Sequence, residues 1–456
     1  MKSNENLPRT LSDTQLDGYF LGNRSIKTRQ VTNLLISTSF GANAILYAAW
    51  LGYAMGIWAI VIQIAWCLSF ILLSKFSNQI YKYTSLHDFL GVKFGNVVRI
   101  ISAICSALGL LYFMGWEIAI AQSGLESLAF NNVNWNLIVG TFILIAIVYT
   151  FINGRKLVSV IDTILNALKF IILIIIVIAL GINLGSSGDL SFNLIIPSFS
   201  ESVAVLGILG FVTNLVFNLS WQFVDNSSWQ TISSNSSEDK HGTKKSLFGA
   251  SGGVFLTVAF LGTFLGAFLR VRTGLDSDNI LGAVSLGMSS NLANITNFSV
   301  AALLLLSMIS LVDNSTLSVA QSIISDIGLF KKNLENNKYK LNIVRVITIV
   351  LGLIAAWGVR VFIDFLGGSI FDFVYVFIIL QLSLLGPILV GFISKKSNSK
   401  YIWVSIVLPL IIGFSLSIIG TITGMTELVD VAGTASAISS IIFASIINNI
   451  KNELKD

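Results

Sequence analysis

Six ionisable residues lie inside long apolar runs of this chain: Glu117, Asp162, Lys169, Asp225, Asp313 and Asp372. Placing such a group in a bilayer core costs about 2.5–3.5 kcal/mol on insertion scales, so each marks a place to look for function. Buried carboxylates of this kind hold a cation, a proton or a polar partner. Asp162 and Asp313 lie further in than Asp372, Glu126 and Asp326. Lys169 follows Asp162 by seven positions, two helical turns along one face. That pair either neutralises itself or faces other helices. Asp372 is expected in the outer interface, and Glu126 and Asp326, near run ends, in water. Two polar clusters interrupt otherwise apolar runs. One is Ser37-Thr38-Ser39-Phe40-Gly41-Ala42-Asn43. The other is Asn218-Leu219-Ser220-Trp221-Gln222 followed by Asp225-Asn226-Ser227-Ser228. Gly with Ser, Thr and Asn weakens a helix and offers its backbone other partners. Discontinuous helices at corresponding places in two halves point to a transporter's central site.

The elements that carry these residues follow from composition. The chain has 456 residues, 54% hydrophobic and 11% charged, against about 25% charged in an ordinary soluble domain. So few charges cannot cover a soluble surface. A soluble enzyme, a nucleic-acid binder and a disordered chain are excluded, and the lipid bilayer is the expected surrounding. A spanning helix needs about 20 apolar residues. Twelve runs qualify: 31–53, 57–77, 98–127, 135–152, 159–184, 203–230, 246–270, 298–326, 341–365, 370–394, 401–422 and 430–449. They are continuous and too long for barrel strands, so the expected fold is an all-α polytopic membrane protein. Counted from a cytoplasmic N-terminus, inner loops hold most Lys and Arg, while outer ones hold only Arg270, Arg272 and Arg360. Both termini are therefore expected in the cytoplasm of an inner-membrane protein. Cys67 and Cys105 lie in apolar runs, and with His87 and His241 they make no metal-ligand pattern. No nucleophile–base motif occurs, so enzymatic activity is not expected.

The order and spacing of several motifs over about residues 17–394 resemble the sodium:solute symporter family. Asp17-Gly18-Tyr19-Phe20-Leu21-Gly22-Asn23-Arg24-Ser25 is similar to its DYFLAGRS segment. Ser85-Leu86-His87-Asp88-Phe89-Leu90-Gly91 is similar to TLPDFLG, with His87 in place of the usual Pro. Asn153-Gly154-Arg155-Lys156-Leu157-Val158 followed by Asp162 resembles GGLKAV…TD. Asp225 with Trp229-Gln230 resembles DQ…VQR, with Thr231 in place of Arg. Ser310-Leu311-Val312-Asp313 and Ser325-Asp326-Ile327 resemble SSADS…DI.

The resemblance implies a LeuT-like core of five-plus-five inverted repeats. Its parts would be a segment 1–30, repeats over 31–184 and 203–394, two additional helices over 395–450 and a tail 451–456. It implies a sodium ion as coupling ion, held by the carbonyls of Ser37 and Phe40 and by Ser307 and Ser310. Leu311 stands where the family has a second hydroxyl. Asp162 aligns near the same site, and Asp313 near a second sodium position. The solute would lie between runs 1, 2, 3, 6 and 10, against Asn43, Leu46, Asn218 and an inner aromatic gate at Trp221. Gln63, Glu117 and Gln381 are further polar candidates. Glu117 either meets a cationic group of the solute, favouring a nitrogenous substrate, or hydrogen-bonds a neighbouring helix. Sodium-coupled symport of a small organic solute is the leading reading. A proton-coupled carrier of the same fold, a channel and a non-transporting sensor stay open.

Overall fold

The computed structural model describes residues 11–128, 130, 133–187, 192–236, 241–271, 280–286, 288–328, 340–358, 361, 374–394 and 401–453. Asp372 lies outside them. Among the described residues all regular structure is helical, with one isolated bridge between Ile26 and Asn235. The helices that matter here are α1 (Leu11–Leu21), α2 (Thr28–Ser39), α3 (Ala42–Met55), α4 (Ile60–Ser74), α5 (Leu86–Phe94) and α6 (Asn96–Glu126). They continue with α7 (Trp135–Ser187), α8 (Phe199–Val224), α9 (Asn226–Ser233), α10 (Gly242–Leu269) and α11 (Ser290–Asp326). The last are α12 (Lys340–Leu353), α13 (Val374–Leu382), α14 (Leu385–Ile393), α15 (Val404–Thr423) and α16 (Thr426–Glu453).

Among the described residues, ten helical stretches are long and apolar enough to cross a membrane. Two of these each join two expected runs across a left-handed glycine, Ala42–Ser74 at Gly56 (φ +64°) and Trp135–Ser186 at Gly154 (φ +53°). Split there, the ten become the twelve expected runs. Both breaks require glycine. The backbone is left-handed, and an added Cβ would meet Ile195 O at 2.5 Å at Gly56 or Tyr19 O at 2.3 Å at Gly154.

The exterior of α7 shows how a spanning helix sorts its residues. Ile164, Ile171, Ile175, Ile178 and Ile182 form one exposed stripe, while Asp162, Lys169, Leu173, Ile176 and Leu180 are buried. Exposed isoleucine suits lipid, and the charged residues face protein instead. Small residues allow α3 and α10 to touch backbone to backbone. A Cβ on Gly266 would lie 1.8 Å from Ala49 O, and one on Gly52 would lie 2.2 Å from Thr263 O. Within α10, Phe255–Gly262 is π-helical.

Candidate functional site: a broken-helix cation cluster and an aromatic cavity

The first interruption falls where the sequence places it. α2 ends at Ser39, Phe40 takes φ −106° and ψ 51°, and α3 restarts at Ala42. Broken there, α3 presents free amides at its N-terminus, and Glu117 of α6 caps them. Ala42 N–H donates to Glu117 Oε1 at 2.6 Å and Asn43 N–H to Oε2 at 2.9 Å. The helix dipole adds to this pairing. Gly41 leaves room for it, since a Cβ there would meet Asn43 Oδ1 at 2.9 Å and Glu117 Oε2 at 3.0 Å.

The carbonyl released at the break already has a partner. Lys169 of α7, fully buried, donates from Nζ to Phe40 O at 3.1 Å and lies 4.9 Å from the Phe40 ring centroid. Beside it, Asn314 Nδ2 donates to Asp162 Oδ2 at 2.6 Å and to Asp313 Oδ1 at 2.8 Å. Tyr149 donates its hydroxyl to Asp313 Oδ2. Arg155, also fully buried, donates to Asn314 Oδ1 at 2.7 Å, to Gln230 Oε1 at 3.3 Å and to Phe20 O at 3.2 Å. It also reaches Thr231 Oγ1 at 3.4 Å, where the resembling family carries arginine. Ser310 spends its hydroxyl on Leu306 O at 3.2 Å, and Leu311 packs with Met114 and Val319. Ser37 Oγ, Ser307 Oγ and Asp162 Oδ1 are buried with no hydrogen bond among the described residues.

The second interruption differs from expectation. Asn218–Gln222 is continuous helix, and the non-helical point within α8 is Gly207, at φ +68° and ψ 159°. A lone glycine in an apolar run carries less signal than a polar cluster, so the sequence reading took the break to lie only in the polar residues. The Asp225–Ser228 cluster does mark a break. Asp225 caps α9 by accepting from Ser227 N–H at 3.0 Å and Ser228 N–H at 3.1 Å.

Between α3, α4, α6, α8 and α13 lies a cavity of about 460 Å³, and α16 completes its wall. The α8 face repeats at helical spacing: Leu206, Gly210, Thr213, Asn214, Phe217, Asn218 and Trp221. Asn43 and Leu46 line it from α3. Trp221 packs against Phe377 at 5.1 Å, Phe113 at 5.8 Å and Phe217 at 5.6 Å between ring centroids. Asn218 donates to Tyr47 Oη at 2.9 Å, and Tyr47 donates to Asn214 Oδ1 at 2.6 Å. Thus the structure gathers Asn43, Leu46, Asn218 and Trp221 on one cavity. Glu117, Gln63 and Gln381 are buried and do not line it. Gln381 is held by Ser106 across α6.

Sequence reasoning missed Trp66, Tyr375 and Asp430 in the wall. Tyr375 donates to Asp430 Oδ1 at 2.6 Å. Asp430 escaped notice because α16 counted as an addition to the core. Asp326 is a second correction. Expected in water, it is 3% exposed. It accepts from Ser85 Oγ at 3.0 Å and Arg99 NH2 at 3.2 Å, with His87 Nδ1 at 3.1 Å. A π-helical turn at Ser322–Asp326 directs it inward. The histidine that replaces the family's proline thereby ties α5 to the end of α11.

Three solved structures are similar to this chain in fold. A Na+-coupled sialic acid symporter, in a substrate-bound outward-open state, matches with TM-score 0.69 at 16% identity. The match covers 96% of this chain and 93% of that one. The chain has a LeuT-like fold. The manganese transporter of Eremococcus coleocola gives this fold a TM-score of 0.58 at 13% identity, over 98% of both chains. Mhp1 is a nucleobase-cation-symport-1 family transporter, seen in a closed conformation with bromovinylhydantoin bound. It gives 0.56 at 16% identity over 94% of this chain and 93% of its own. No family model matches the chain, and no curated protein does. All three LeuT-like neighbours are transporters rather than enzymes.

Proposed function

We propose that this chain is a secondary active transporter that carries a small nitrogenous organic solute by alternating access. The observation that carries this reading is the aromatic cavity, walled by the helices broken at Phe40 and Gly207. Largely apolar cavities with a few fixed polar groups are typical small-molecule sites. Here the rings of Trp50, Trp66, Phe113, Trp116, Trp221 and Phe377 surround the Asn43 and Asn218 amides and the Asp430 carboxylate. Aromatic faces attract an organic cation, and Asp430 adds an opposite charge at the rim. Asn43 Nδ2 and Trp66 Nε1 are buried donors with no partner among the described residues. Each calls for an acceptor oxygen or nitrogen on the solute. The segments 31–184 and 203–394 serve as the two repeats, and the loop charges favour cytoplasmic termini.

Two readings of the coupling ion have specific support. The family resemblance and the Na+-coupled neighbour favour sodium near Ser37, Ser307, Ser310 and Asp162, with Asp313 at a second position. The Lys169–Phe40 hydrogen bond favours a carrier that does not place sodium there.

Quenching of intrinsic tryptophan fluorescence by a panel of amino acids, amines, nucleobases and sugars tests the solute reading. A nitrogenous solute is expected to saturate the signal. Asn218→Ala should weaken it at least tenfold, about 1.4 kcal/mol. Asp430→Asn should weaken a cationic solute about fivefold and a neutral one little, as suits an exposed charge pair. Quenching by sugars alone, or affinities unchanged in both variants, would refute the assignment.

A further inference from the structure

We propose that the ammonium of Lys169 is the resident cation at the α2–α3 break, so that the protein carries its own positive charge where the resembling family places sodium. The inference concerns the cation locus within the transporter reading above, but its test needs no solute.

Three observations support it. First, the unwound carbonyl of Phe40 accepts from Lys169 Nζ at 3.1 Å. A sodium ion on that same oxygen would stand against a full positive charge at close range, and in a dry site such repulsion is screened little. Second, the hydroxyl pair that would complete a sodium shell is reduced. Leu311 replaces one member, and Ser310 donates to Leu306 O. Third, the cluster already holds positive charge of its own, on Lys169 and Arg155. Lys169 feels the carboxylates Asp162 and Asp313 on α7 and α11, and Glu117 on α6. The Glu117 charge is met by the amides and dipole of the α3 N-terminus. Lys169 and Arg155 each interact with both Asp162 and Asp313, and Arg155 also with Asp225.

The ammonium also accounts for the polar residues around it. It has three donors, only one of them on Phe40. Asp162 shares its helix face two turns away. The Asp162 carboxylate attracts the ammonium and also draws the Ser37 and Ser310 hydroxyls. A tethered ammonium therefore does at this break what a bound ion would do: it holds the carbonyl end of α2 against α7.

Melting temperatures of the purified full chain in sodium, potassium and choline chloride at equal ionic strength test this. Wild type should melt at the same temperature in all three. Lys169→Ala exposes Phe40 O, Ser37 Oγ, Ser307 Oγ and Asp162 Oδ1, and should gain a saturable sodium-specific rise of about 3 °C. Lys169→Gln, which keeps most of the side-chain volume, is the second variant should the first not fold. A sodium-specific rise in wild type would overturn the proposal. So would a sodium response absent from every folded variant at 169. Neither result bears on whether the aromatic cavity binds solute, which the fluorescence panel reads separately.

Discussion

Glu117 spends both carboxylate oxygens on the first two amides of α3. Of the two roles open to it from sequence, the helix partner is the one its contacts display. A carboxylate in the run GWEIAIAQ is visible in any hydropathy scan. Its direction is not, because the donating amides are free only once α2 and α3 separate 75 residues away. The rim charge belongs to Asp430, which the sequence hides at the start of an unremarkable terminal helix. Glu117→Gln replaces one acceptor oxygen with an NH2 that faces an amide donor. It should destabilise the protein by about 1–3 kcal/mol, seen as a lower melting temperature. The preference between cationic and neutral solutes should be unchanged. A lost preference with unchanged melting would place Glu117 at the solute instead.

Among the elements, α2–α3 was readable and α8 only in part. Seven residues combining Ser, Thr, Gly and Asn announce the break at Phe40. Gly207 announces the other only by its left-handed backbone, which a sequence does not display. Lys169 shows the same limit. Spacing of seven puts it on one face with Asp162, but only packing reveals that this face meets the Phe40 carbonyl. Helix contacts mediated by glycine are likewise a matter of packing. Gly266→Val should lower the yield of folded protein sharply, because its Cβ would need the space 1.8 Å from Ala49 O. Gly252→Ala, with nothing within 4 Å of the added carbon, is the matched control and should melt like wild type. Equal folded yields of both variants would mean that α3 and α10 are not in backbone contact.

At the scale of the molecule, twelve apolar runs were legible because bilayer thickness fixes their length. The order of weak motifs was enough to suggest the LeuT-like core. The contribution of α16 to the cavity was not legible, because core membership is a property of packing rather than of hydropathy. The two halves of the site lie along the same broken helix. Phe40 meets Lys169 at the break, and Asn43 and Leu46 face the cavity just beyond it. A rearrangement at one is thus positioned to be felt at the other, which is what a coupled carrier requires. The most direct test of the central claim is counterflow in proteoliposomes. Vesicles loaded with an unlabelled amine or amino acid are diluted into tracer of the same compound. The account predicts tracer exchange for at least one nitrogenous solute of the panel, falling at least tenfold in Asn218→Ala. Exchange that is indifferent to Asn218→Ala, or none for any solute that saturates the fluorescence signal, would contradict it.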